Sequence, residues 1–176
     1  MEPSLLLSSE FAVVASCLKD GADPDSFVGG DADDVRALAV HAFEGRLDIV
    51  RLLLESGANP NLGRDSTGET PLHHAVCGTI DPDVVRALLQ AGTDPNAKCQ
   101  TGALSDNFMR DVRVRGEAPL HRAAAYAGES VIQALLYAGA SVETKDAYGD
   151  SALSWASLHR RERNILKLLC FGHHRV

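Results

Sequence analysis

Cys170, His173 and His174 are the closest grouping of potential metal ligands in the sequence. Thiolate and imidazole are the ligands that zinc prefers, but a structural zinc site takes four of them and no fourth ligand is close by. Cys17, Cys77 and Cys99 are far apart and match no paired metal spacing. We therefore interpret the C-terminal group as a solvated tail and keep a metal-binding or enzymatic role as an alternative.

Two adjacent histidines, His73 and His74, cannot chelate one ion together on a helix, because consecutive side chains point in different directions. The sequence has no Gly-x-Ser-x-Gly motif and no Gly-rich phosphate loop that ends in Gly-Lys-Ser/Thr. Catalysis would need a nucleophile, a base and an orienting group that converge. Since no such set is recognisable, we predict a protein that is not an enzyme and takes no cofactor.

The bulk properties of the 176 residues narrow the class of partner. The net charge of −7 is the opposite of the basic footprint of a nucleic-acid-binding protein. No apolar run approaches the roughly 18 residues that span a bilayer, and the N-terminus lacks the basic start of a secretory signal. We therefore expect no nucleic acid or membrane partner, and a cytoplasmic protein, or a nuclear one in a eukaryote, with reduced thiols.

A phrase that opens a helix recurs along the chain. In residues 68–75, Thr70 can cap the helix through its hydroxyl, and Pro71 occupies the first helical position, where its missing N–H is not needed. The phrase returns at 116–123 and, in degraded form, at 149–156. This recurrence predicts several short helices that begin in the same way.

A second phrase closes each following helix with a Leu-rich end, a glycine and a turn. Glycine can adopt the positive φ that ends a helix, and the Asn/Asp-Pro pairs beyond several of these glycines prevent its continuation. Successive glycines lie 36, 35, 47 and 33 residues apart, at Gly21, Gly57, Gly92, Gly139 and Gly172. The two phrases together therefore define a repeat.

These residues resemble ankyrin repeats, in which a turn, a first helix opening Thr-Pro-Leu-His and a second helix ending Leu-Leu precede Gly-Ala-Asx. The resemblance implies an all-α ankyrin-repeat solenoid of about five stacked helix-turn-helix repeats with β-hairpin fingers. We expect one domain over 1–176, with repeats at 1–25 (N-terminal cap), 31–61, 65–98, 116–145 and 146–172 (C-terminal cap).

The longest glycine spacing indicates an insertion. It exceeds the family's period of about 33 by roughly 14 residues, and the surplus falls within 101–115. Residues 112–115 alternate apolar and charged side chains, as a half-exposed strand does. We therefore predict a lengthened β-finger in place of an irregular loop.

The resemblance also assigns roles to single residues. It gives His73 and His121 a structural hydrogen-bonding role between repeats. Asn61 and Asn96 occupy the turn position that resembles the asparagine-hydroxylation site of some ankyrin repeats. Whether either is hydroxylated depends on the host.

The resemblance implies that the chain binds a partner through a concave surface. This surface is formed by the fingers and the outward positions of the first helices. Trp, Tyr and Arg are enriched at interface hot spots, although aromatic residues at these positions can also simply cover the core. The repeat register predicts these partner-binding residues for a monomer that binds another protein: Phe43, His74, Arg122, Tyr126, Tyr148, Trp155 and His159.

An alternative places recognition in the insertion, residues 103–115. Phe108 supplies an apolar anchor, and Arg110, Arg113 and Arg115 supply cations on an otherwise acidic protein. Such a finger would suit an acidic partner.

Overall fold

The computed structural model describes residues 3–28, 35–78, 81–104 and 113–171. Within these ranges one short 3₁₀ helix and nine α-helices account for most of the regular structure, which confirms the all-α prediction. The 3₁₀ helix spans Pro3–Leu7, and the α-helices are α1 (Phe11–Lys19), α2 (Ala37–Glu44), α3 (Leu47–Glu55), α4 (Pro71–Ala75), α5 (Pro82–Gln90), α6 (Pro119–Tyr126), α7 (Glu129–Tyr137), α8 (Ala152–Leu158) and α9 (Arg163–Phe171).

The helices stack in two rows. The 3₁₀ helix, α2, α4, α6 and α8 form the row of first helices, and α1, α3, α5, α7 and α9 form the row of second helices. Each second helix packs on its own first helix and on the second helix of the next repeat. This is the side-by-side arrangement of a solenoid, in which each repeat is stabilised by its neighbours.

One continuous core runs through the stack, from Leu6 at one end to Leu169 at the other. The leucines near the end of each second helix lie in it, and Leu53, Leu88 and Leu135 are fully buried. Because a two-helix repeat cannot bury its apolar face alone, these shared contacts supply most of the stability.

His73 joins one repeat to the next. Its Nδ1 accepts hydrogen bonds from the backbone N–H of Thr70, at 3.2 Å, and from the Thr70 hydroxyl, at 2.9 Å. The proton therefore resides on Nε2, which donates to the carbonyl of Glu117 in the following repeat at 3.4 Å. Thr70 begins α4 as predicted, and the expected structural role of His73 is confirmed.

His121 repeats this arrangement one repeat later. Its Nδ1 accepts from the N–H of Ala118 at 3.2 Å, and its Nε2 lies 3.2 Å from the carbonyl of Asp150. Ala118 lacks the hydroxyl that Thr70 supplies, but the histidine still satisfies the first backbone donor of α6. Its predicted structural role is also confirmed.

Asparagines tie the turns after the second helices together. The Asn61 side chain donates to the carbonyl of Gly92 at 3.0 Å and accepts from the N–H of Asp94 at 2.7 Å. Asn96 makes the same pair of bonds with the following repeat, at 3.0 and 2.9 Å. Both amides thus bridge repeats, and their hydroxylation stays a prediction.

The insertion begins and ends as an antiparallel hairpin of β1 (Thr101–Leu104) and β2 (Arg113–Arg115). Thr101 pairs with Arg115, and Val114 is buried. The predicted β-finger is confirmed for these strands, while residues 105–112 lie outside the described ranges. Among the described helices, none combines the length and the apolar character needed to cross a bilayer.

Candidate functional site

A strip of side chains crosses the row of first helices at their C-terminal ends. We call it the inner strip and define it as Phe43, Cys77, Tyr126 and His159. Its last two members touch: the rings of Tyr126 and His159 meet edge to face with centroids 4.8 Å apart. The Tyr126 hydroxyl also lies 3.3 Å from Nε2 of His159. This contact joins the fourth repeat to the last one at the surface.

At the Phe43 end of the inner strip, Gly78 of the third repeat lies close against the backbone of Phe43 in the second repeat. A Cβ on Gly78 would lie 1.8 Å from the carbonyl oxygen of Phe43, so only glycine permits this approach of the second and third repeats. Cys77 packs against the buried pair Ala125 and Trp155. Tyr126 packs against that pair as well, so Ala125 and Trp155 link Cys77 to Tyr126.

A buried ion cluster lies beneath the inner strip. Arg122 on α6 pairs with Glu69 of the preceding repeat, at 2.7 Å, and with Glu117 of its own repeat, at 2.5 Å. All three side chains are at most 1% exposed. One guanidinium faces two carboxylates, so further donors are needed: the Thr67 hydroxyl donates to Glu69 at 2.8 Å, and the Arg115 N–H donates to Glu117 at 2.6 Å.

Two thiols complete the surroundings of Arg122. Its Nη1 lies 3.7 Å from Sγ of Cys77, and its Nη2 lies 3.6 Å from Sγ of Cys99. Burial raises the pKa of Cys77 to about 11 and raises the pKa of Cys99 still further, despite the nearby cation. Since the thiolate is the nucleophile, neither cysteine is activated for chemistry near neutral pH.

The cluster occupies the junction between the third and fourth repeats. Here α4 has only five residues and makes little contact with α6, in contrast to the close packing of α2 on α4 and of α6 on α8. Polar side chains fill the gap, including His74, which is 2% exposed. Burial lowers the pKa of His74 to about 4, so its ring is neutral beside the Arg122 charge.

A second network anchors the finger hairpin to the last repeat. Asp146 Oδ2 accepts from Nε1 of Trp155 at 3.1 Å and pairs with Nε of Arg115 at 3.0 Å. Nη2 of Arg115 also pairs with Asp150 at 2.6 Å. The same guanidinium lies 4.7 Å from the ring centroid of Tyr148, in cation–π contact.

The structure corrects the placement of three residues expected on the concave surface. The exposed fractions of His74, Arg122 and Trp155 are 2%, 1% and 5%, so these side chains lie inside the protein and not on its concave surface. Each lies two residues after the motif leucine of its first helix, and at this position Arg122 reaches Glu117 and Trp155 reaches Asp146. Their expected role in binding stays untested, but buried side chains are poorly placed for it.

The remaining candidates differ in exposure. Tyr148 and His159 are exposed, and Phe43, Tyr126 and Arg115 are half-buried. The sequence prediction places Phe108 and Arg110 in the insertion, where they lie outside the described residues, and only the backbone of Arg113 is described.

Sequence reasoning missed three acidic partners: Glu69 and Glu117, which pair with the buried Arg122, and Asp146, which binds Trp155 and the half-buried Arg115. The available signal was the Gly-Glu pair that precedes α4 and α6. Across the described part of the chain, no three His, Cys, Asp or Glu side chains come together as a metal site. His173 and His174 of the alternative hypothesis lie outside it.

Comparison with protein families decides the relationship. A model of three ankyrin repeats matches residues 8–99, and a model of a single ankyrin repeat matches residues 115–147. The chain belongs to the ankyrin-repeat family. The interval between the two matches holds nearly all of the insertion, from β1 to the start of β2. The hairpin is therefore an addition to the ankyrin repeats of this chain.

Relatives of this ankyrin-repeat chain are much longer proteins. It is 35% identical over 124 residues, 69% of the chain, to neurogenic locus notch homolog protein 1 of Xenopus laevis, and equally similar to that of Xenopus tropicalis. It is 28% identical over 128 residues, 73% of the chain, to the ankyrin repeat domain-containing protein SAT10 of Stachybotrys chartarum. The aligned segments make up only 4% of the notch proteins and 6% of SAT10.

Proposed function

We propose that this ankyrin-repeat chain is a non-catalytic scaffold that binds another protein through the inner strip and the adjoining last finger, which is the turn closed by the bridge of Lys145 with Ser151. The observations that carry the proposal are the edge-to-face contact of Tyr126 with His159 and the cation–π contact of Tyr148 with Arg115, whose guanidinium pairs with the buried Asp146. Aromatic side chains held on a rigid base bind with little loss of conformational entropy.

The chemistry of the strip suits binding better than catalysis. Tyr and His present an apolar ring and a polar atom to a partner, and Tyr is enriched among interface hot spots. The thiol of Cys77 is protonated near neutral pH, because burial raises its pKa to about 11. We further propose a monomer in a reducing compartment, since Cys17, Cys77, Cys99 and Cys170 are free thiols.

A photo-crosslinking experiment tests the site. The photoreactive amino acid p-benzoylphenylalanine replaces Tyr126, Tyr148 or, as a control, Tyr137, which is 73% exposed on the second-helix row. We expect one protein from the native host to crosslink from positions 126 and 148 and not from position 137. Crosslinking of the same protein from position 137 alone would move the binding site to the other face.

A second candidate assigns recognition to the insertion. The observation that favours it is the fixed base of the hairpin, since Arg115 of β2 is bound to Asp146 and Asp150. In this case Phe108, Arg110 and Arg113 would make the decisive contacts. Deleting residues 103–113 should then abolish binding with little loss of stability, whereas retained binding would leave recognition to the inner strip.

A further inference from the structure

Basic side chains gather where the inner strip ends. We define the basic corner as Arg160, Arg163 and Lys167, which are all exposed. Arg160 directly follows His159 in the chain. Arg163 and Lys167 are four residues apart on α9 and therefore share one helix face. These cations stand out on a chain whose net charge is −7.

The cations of the basic corner differ from several arginines elsewhere in the described ranges. Among those described residues, the ion pairs with a carboxylate include those of Arg36, Arg46, Arg86, Arg115 and Arg122. Among the described residues, the members of the basic corner have no such partner. The neighbouring Glu129 is bonded to Gln133 and Asn164, and the one carboxylate within the corner, Glu162, is exposed. The cations here, with Arg161 included, outnumber these two carboxylates, so the corner keeps a net positive charge.

Arg160 holds an unusual backbone conformation. Its φ is 52°, in the left-handed region, where side chains other than glycine are uncommon. The equivalent position after α2 is Gly45, with φ 74°, which is the usual residue for ending a helix. Glycine would adopt this backbone conformation with less strain than arginine does. Arg161, in contrast, donates to the carbonyl of Ala127 and has a structural role.

We propose that the basic corner binds an acidic segment of the partner protein, beside the contact of Tyr126 with His159. This inference rests on the proposed function, because it names the chemistry of the partner for the same surface. An apolar residue next to Asp or Glu in the partner packs on the Tyr126 ring, while the carboxylates pair with Arg160 and Arg163. Opposite charges on the two proteins also speed association at low salt.

A peptide selection tests the inference before the partner is identified. A random twelve-residue library displayed on phage is selected against the full chain and against Arg160→Glu/Arg163→Glu. The matched control is Lys19→Glu/Arg51→Glu, which makes the same change of charge at two surface residues away from the corner. Peptides enriched by the wild type should be rich in Asp and Glu, and this bias should persist with the control and vanish with the corner variant.

The dissociation constant of the best acidic peptide gives the magnitude. We expect the corner variant to weaken Kd by more than about tenfold: losing two ion pairs worth roughly 0.7 kcal/mol each gives a factor of ten, and the introduced carboxylates repel the peptide as well. Arg160→Gly should weaken Kd about threefold by the same measure while raising the melting temperature, which separates binding from folding.

Each other outcome has a defined meaning. Enriched peptides without an acidic bias, or a bias that the corner variant retains, would overturn the acidic-partner inference and leave the proposed function standing. Failure to enrich any peptide that competes with crosslinking at position 126 would count against the proposed function itself. Corner-dependent binding to phosphatidylserine vesicles, with no acidic peptides selected, would assign the corner to a membrane surface and overturn the inference.

Discussion

Arg122 and Glu69 join two consecutive ankyrin repeats by a buried ion pair, with 2.7 Å between Nη1 and Oε1. The pair lies where α4 and α6 make little contact, so charge and hydrogen bonding replace the helix packing found between α2 and α4 and between α6 and α8. Glu117 shares the same guanidinium. The arrangement connects the bases of two fingers beneath the proposed binding surface.

Replacing Arg122 with methionine should lower the free energy of unfolding by about 3–5 kcal/mol, because two buried carboxylates lose their cation. Urea unfolding followed by circular dichroism measures the loss. Arg51→Met, at an exposed position without a carboxylate partner among the described residues, should stay within about 0.5 kcal/mol of the wild type.

A compensating variant tests whether the lost charge is the cause. Glu69→Gln/Arg122→Met/Glu117→Gln removes the uncompensated charge and should regain most of the stability. A loss below about 1 kcal/mol for Arg122→Met would contradict the importance of the pair.

Stability should fall as the pH drops from 6.5 towards 4. Burial lowers the pKa of His74 from its usual 6.5 to about 4 and lowers the pKa of His73 and of His121 in the same direction. In this window the unfolded chain binds more protons than the folded one, so the stability that is complete above pH 6.5 is lost on acidification. For His74 alone the loss amounts to about 3 kcal/mol.

One histidine variant isolates this effect. His74→Gln should flatten the dependence of the unfolding free energy on pH between 6.5 and 4. Equal slopes for the wild type and His74→Gln would show that acid sensitivity arises elsewhere. Urea melts at several pH values provide the measurement.

The repeated phrases were sufficient to predict the fold, because each encodes a local event: Thr70 and Pro71 start a helix, and His73 bonds the next repeat. The β-finger was predicted from simple alternation. The burial of Arg122 cannot be predicted in this way, because its position within α6 fixes only the direction in which its side chain leaves the helix. Which side is covered depends on the finger of a neighbouring repeat and on the shortened α4, and neither is a local property.

Trp155 is the only tryptophan, so its fluorescence reports on the anchor of the finger. Asp146→Asn keeps the Oδ1 acceptor for the turn but removes the charge that Arg115 and the indole share. We expect a loss of about 2–3 kcal/mol in stability and a red-shifted emission.

The matched control for the finger anchor is Asp150→Asn, which removes only the more exposed contact of Arg115. Its emission should match the wild type. An unshifted spectrum for Asp146→Asn would mean that the hairpin does not depend on this carboxylate.

Asn61→Ala should reduce the melting temperature, because it removes two hydrogen bonds between the second and third repeats. Together they are worth about 1–2 kcal/mol at an exposed site. Asn59→Ala is the control, since that side chain accepts only from the N–H of Asn61 in its own turn. Similar melting temperatures for both variants would contradict a role of Asn61 in holding the repeats together.

Isothermal titration calorimetry with the crosslinked partner, purified, is the most direct test of binding through the inner strip and last finger. Tyr126→Ala/Tyr148→Ala should weaken Kd by about a hundredfold, as for two hot-spot tyrosines that each contribute more than 1 kcal/mol. Tyr137→Ala, at a more exposed tyrosine on the second-helix row, should leave Kd unchanged. An unchanged Kd for the double variant, with its helical circular dichroism intact, would contradict the account.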